Sequence, residues 1–143
     1  MATPAPYMNE PKEFFSIRVL IKHPSWSATE ITSRLGDEPD YSWNVTDSGK
    51  NETMWARESY TTGERFFFNE VHEVLLWIQG KDHFAEELQK TGGHLSVIVQ
   101  LPGAVNIGCT LEPETMKLAV ILGVNLGIEV FPNMRYPKQK NES

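Results

Sequence analysis

Hydrophobic residues recur at two spacings along this chain. Between 14 and 22, Phe15, Ile17, Val19 and Ile21 alternate with Ser16, Arg18, Leu20 and Lys22, the two-residue period of a half-buried strand. The same period predicts a strand over 94–101, with Leu95, Val97, Val99 and Leu101 on its inner side. It also predicts a returning strand over 105–111 (Val105, Ile107, Cys109, Leu111) and a last strand over 124–131 (Val124, Leu126, Ile128, Val130). Pro102 and Gly103 suit the central positions of a type II turn between the first two of these. Shorter strands are expected around Trp43 and Val45 and over 53–60.

Helical spacing takes over elsewhere. Ser27 precedes Glu30 by three positions, a capping box, and Trp26 and Ile31 flank it as a hydrophobic staple. Gly36 after Leu35 supplies a left-handed stop, so a helix is predicted over 28–35. From Asn69, a suitable cap, Val71, Val74, Leu75 and Ile78 share one face until Gly80. Asp82 can cap a second short helix carrying Phe84, Ala85 and Leu88, which Gly92 and Gly93 end. Pro113 opens a third, 113–122, closed by Gly123.

Strands joined by hairpins and separated by helices imply an α+β domain. Its sheet is mixed and mainly antiparallel, with helices packed on one face. A ferredoxin-like arrangement with extra strands is the nearest simple topology. The folded domain is expected at 13–132, between a flexible arm at 1–12 and a flexible basic tail at 133–143.

The order of elements carries a resemblance. A strand leads to a short helix ending in Leu35-Gly36-Asp37-Glu38-Pro39, then a loop bearing Gly49 and a tryptophan strand at Trp55. A leucine-rich helix pair follows, and then the closing run from Leu118 to Pro132. Over 13–132 this resembles the bacterial family called domain of unknown function 4279. The resemblance implies a compact α+β domain and a bacterial source, and no reaction.

Composition narrows the function classes. The 143 residues carry 13 Lys and Arg against 19 Asp and Glu, a net charge of −6. Between 13 and 132 there are 9 basic and 17 acidic residues, and 37–52 sets Asp37, Glu38, Asp40, Asp47 and Glu52 against Lys50 alone. That balance repels a phosphate backbone, so nucleic acid is not an expected partner. No apolar run approaches the ~20 residues of a spanning helix, so no membrane partner is expected. The single Cys109 makes no internal disulfide, and 1–12 lack a signal-peptide pattern; a cytoplasmic protein is expected.

Catalytic patterns are missing. No glycine-rich phosphate loop is present, and His23, His72, His83 and His94 are too widely spaced for a zinc motif. Cys109, on the apolar side of its predicted strand, reads as core rather than nucleophile. No cofactor, metal or catalytic residue is assigned, and an enzyme is not the favoured reading.

Two surfaces remain. The sheet side away from the helices would carry Phe14, Arg18, Leu20, His94, Ile98, Gln100, Glu129 and Phe131, polar with scattered apolar residues. Trp43, Trp55 and Arg57 form a second candidate surface, because Trp and Arg are enriched at binding hot spots. Binding residues are therefore expected among Arg18, Trp43, Trp55, Arg57, His94 and Glu129. The favoured function is a protein-binding module without chemistry, such as an immunity-type inhibitor of a basic partner; self-association as a homodimer is a further possibility. The alternative is a small-molecule-binding protein or enzyme with a pocket between sheet and helices, where Arg57, His72 and His94 would converge.

Overall fold

A computed structural model describes residues 14–62, 66–103 and 106–132, so the predicted arm and tail lie outside the described residues. The elements run β1 (Phe14–His23), α1 (Ala28–Leu35), β2 (Tyr41–Trp43), β3 (Thr53–Thr62), α2 (Phe67–Gln79), α3 (Phe84–Lys90), β4 (His94–Pro102), α4 (Pro113–Leu122) and β5 (Val124–Phe131). Among the described residues they form an α+β fold with one five-stranded sheet of order β2-β3-β1-β4-β5. Every neighbouring pair is antiparallel except β4–β5, which is parallel and joined through α4. None of the described helices is long and apolar enough to cross a membrane.

The phase of the central strands follows from their alternation. Phe15, Ile17, Val19 and Ile21 of β1 and Leu95, Val97 and Val99 of β4 are all buried, and they form one cluster with Ile31, Leu35, Val71, Leu75, Ile78 and Leu88 of the helices. The helices therefore cover one side of the sheet. In α1, Ser27 Oγ accepts from the Glu30 backbone N–H at 3.1 Å, and Gly36 closes the helix at φ 72°. Only half of the capping box forms, because the Glu30 carboxylate turns to Arg34 one turn later, at 3.0 Å.

Several expectations give way to the fold. The returning strand at 105–111 does not form: 106–111 are irregular, with 104 and 105 outside the described residues. Both edges of β4 are already occupied, by β1 and by β5, so no ladder is left for a hairpin partner. The predicted turn after Pro102 also falls partly outside the described residues. Val45 likewise stays outside β2. The ferredoxin-like detail is not confirmed, since the parallel pair here joins adjacent strands directly, with no strand split between them.

Helix starts shift for reasons of burial. Asn69 lies inside α2 rather than capping it, because Phe67 is buried and draws the start back to Phe67. The freed Phe68 N–H donates to Cys109 Sγ at 3.3 Å, which makes the half-buried cysteine an acceptor at a helix end. Asp82 does not cap α3; His83 takes that place at φ 54°, a left-handed conformation unusual for a residue with a side chain.

The edge strand β5 departs furthest from its predicted burial. Val124 is buried and Leu126 half-buried, but Ile128 is 54% and Val130 57% exposed. The ten residues of α4 rise about 15 Å, whereas the eight of β5 extend about 26 Å, so the helix stops short of the strand's far end.

Candidate functional site

The sheet face opposite the helices is built from the other parity of each strand. β1 contributes Ser16, Arg18, Leu20 and Lys22, and register places Glu58 and Ile98 beside Arg18. β4 and β5 bring Gln100 opposite Glu129, and β2 brings Tyr41 opposite Ala56 and Trp43 opposite Met54. One polar track therefore crosses all five strands.

Its members are bonded to one another. Ser16 Oγ donates to Gln100 Oε1 at 2.5 Å, and Gln100 Nε2 donates to Glu129 Oε1 at 3.1 Å. The Arg18 guanidinium reaches Glu58 at 3.4 Å and Glu129 at 3.6 Å, and stands 6.0 Å from the Tyr41 ring centroid. The Glu58 backbone N–H in turn donates to Asp40 Oδ2 at 2.5 Å. Ser16 and Gln100 are buried, while Tyr41 and Glu129 stay more open to solvent. The Arg18 Nε is buried and has no partner among the described residues. Burial pushes the Tyr41 phenol above its ordinary range, and the Arg18 charge partly opposes it.

Arg18 and Glu129 thus meet as ion-pair partners on the open face. Trp43 lies at the β2 margin of this face, half-buried, its indole N–H donating to Glu52 O at 3.1 Å and Lys50 Nζ lying 3.8 Å from its ring centroid. His94 is exposed at the start of β4, beside Lys22.

The Trp43–Trp55–Arg57 surface does not form. The parity of β3 sends Trp55 into the core, fully buried, with its indole N–H donating to Thr32 Oγ1 at 3.0 Å. Arg57 points to the same side, pairing with Asp37 at 3.1 Å and standing 5.0 Å from the Trp77 ring centroid. The carboxylates of the 37–52 loop serve the fold. Asp37 holds Arg57, Asp40 holds the Glu58 amide, and Asp47 accepts from the Asn44 amide at 2.8 Å.

Groups expected to converge in a pocket do not. His72 Nδ1 lies 2.8 Å from Thr115 Oγ1 between α2 and α4, whereas Arg57 stands at Trp77 and His94 lies on the open face beside Lys22. A cleft of about 750 Å³ opens at the ends of α2, α3 and α4, lined by Lys81, His83, Gln89, Ile121 and neighbours, with no strand residue in its wall. Among the described residues no three His, Cys, Asp or Glu side chains cluster as a metal site.

Sequence reasoning named Arg18 and Glu129 but not Glu58, Tyr41, Ser16 and Gln100 as a connected set. The strand pairing that joins Glu58 to Arg18 is not written in any one segment. No family model, curated protein or solved structure matches this chain.

Proposed function

We propose that this protein is a protein-binding module without catalytic chemistry, docking a basic partner on the open face of its sheet; an immunity-type inhibitor is its concrete form. The observation that carries the reading is the track from Tyr41 through Arg18 to Glu129, crossing five strands on the side the helices leave uncovered. Rigid strands hold these groups in place before any partner arrives, which limits the ordering cost of association. Arg18 neutralises only part of the nearby acidity, since Glu58 and Glu129 share one guanidinium. A partner presenting Arg or Lys would meet an excess of carboxylates, with Tyr41 as an aromatic contact. Such complementarity speeds encounter and penalises acidic competitors.

The test is capture of partners from the source cells, followed by association kinetics at two ionic strengths. The reading expects an on-rate that falls several-fold between 50 and 300 mM salt, the usual sign of steering between opposite charges. Glu129→Lys should slow association and Tyr41→Ala should speed release. A salt-independent on-rate, or binding indifferent to both changes, contradicts it.

A further inference from the structure

The two edges of the sheet are treated differently. β2 is three residues long, follows Pro39 and Asp40, and so offers little template for another chain. β5 is an edge strand of eight residues, Val-Asn-Leu-Gly-Ile-Glu-Val-Phe, with no proline and no lysine. Its single charge, Glu129, is already engaged by Arg18 and Gln100. Among the described residues none of the usual protections of an edge is present.

The apolar side of that edge is left partly uncovered by α4: Ile128 is 54% and Val130 57% exposed.

We propose that β5 pairs antiparallel with β5 of a second copy about a two-fold axis through Gly127, extending the sheet to ten strands. Three observations select a second copy. The first is backbone direction. Phe131 O accepts from the Gly103 N–H at 3.0 Å, so Phe131 turns its backbone groups to β4. In a strand successive residues turn to opposite sides, so Leu126, Ile128 and Val130 present theirs to the free edge. The same residues carry the apolar side chains of the helical side.

The second is self-complementarity. Centred on Gly127, Leu126 faces the partner copy's equivalent of Ile128 and Val124 faces that of Val130. These are apolar cross-strand pairs on the helical side, each closed by two backbone hydrogen bonds. On the other side Asn125 meets Glu129 and glycine meets glycine, so no like charges are opposed. The third is exposure. Ile128 and Val130 are each more than half exposed, and pairing the two edges covers both residues in both copies.

Sedimentation over a range of concentrations tests this, and the expected species has twice the monomer mass at tens of micromolar. Ile128→Lys and Val130→Glu, both at exposed positions of the edge strand where folding is unaffected, should each weaken the dimer by ~30-fold or more. Gly127→Cys in a Cys109→Ser background should form a disulfide between copies on oxidation, because opposed residues of a non-hydrogen-bonded pair have Cα atoms about 4.5 Å apart. A monomer at every concentration overturns the proposal and leaves the edge to a different chain. A dimer that survives both charge substitutions and fails to cross-link at position 127 overturns it as well.

Discussion

Replacing Arg18 by Met removes the cation at the centre of the polar track while keeping much of the side-chain volume. At 3.4 Å the Arg18–Glu58 attraction is about 5 kcal/mol for an effective dielectric of 20, before desolvation is counted. The net value is far smaller. Both side chains have lost roughly four-fifths of their exposure, and Arg18 Nε is buried without a partner among the described residues, a cost the pair must offset. Removing the guanidinium leaves the Glu58 carboxylate largely dehydrated and without its cation. A fully buried pair broken in this way costs 3–5 kcal/mol; water still reaches these groups, so about 2 kcal/mol is expected. Adding Glu58→Gln should restore about 1 kcal/mol, because the stranded charge goes with its partner. Urea unfolding of the two single variants and the double variant gives the coupling. The Tyr41 phenol supplies a second reading. Arg18 opposes the upward push of burial, so its pKa rises further in Arg18→Met, measurable by NMR of ring-labelled tyrosine. Additive unfolding energies together with an unmoved Tyr41 titration would refute the network.

Other consequences follow from single contacts. His23 is buried, with Nδ1 accepting from the Ser25 and Trp26 amides at 3.0 and 2.8 Å, and burial lowers its pKa below 6.5. The unfolded chain then binds a proton at higher pH than the native one. The stabilisation is full above about 6.5 and is lost as pH falls towards the lowered native value. Thermal melts of His23→Asn, which keeps an acceptor, should show a shallower decline from pH 7 to 5. A Cβ on Gly93 would lie 2.6 Å from Leu88 Cδ1 and 2.8 Å from His23 Cδ2. Gly93→Ala should therefore cost about 2 kcal/mol in denaturant unfolding, as overpacking does. Ser27→Ala removes the α1 cap and should cost about 1 kcal/mol.

How much of this was legible in the sequence depended on whether a feature is local. The α1 caps, the α4 boundaries at Pro113 and Gly123 and the phase of β1 are set by neighbouring residues, and each appears in the structure. The hairpin failed because alternation over 105–111 says that a segment suits an edge, not that an edge is free. The parity of β3 was hidden because Met54 and Ala56 are as apolar as Trp55; all three are buried, on opposite sides of the strand. That parity moved Trp55 into the core and turned Arg57 to the helical side of the sheet. Arg18 and Glu129 were readable as sharing a face, since β1 and β5 alternate strongly. Their meeting needs the order β1-β4-β5, which depends on a β1–β4 pairing as distant as Ser16 with Gln100 and on the β4–β5 pairing beside it.

The central claim is that the open sheet face does the binding. Amide NMR of the labelled protein, titrated with its captured partner, tests this most directly. The account predicts shifts concentrated at Ser16, Arg18, Tyr41, Glu58, Gln100 and Glu129, with the helical side unmoved. Shifts centred instead on α2 and α3, around Trp77 and His83, would contradict it.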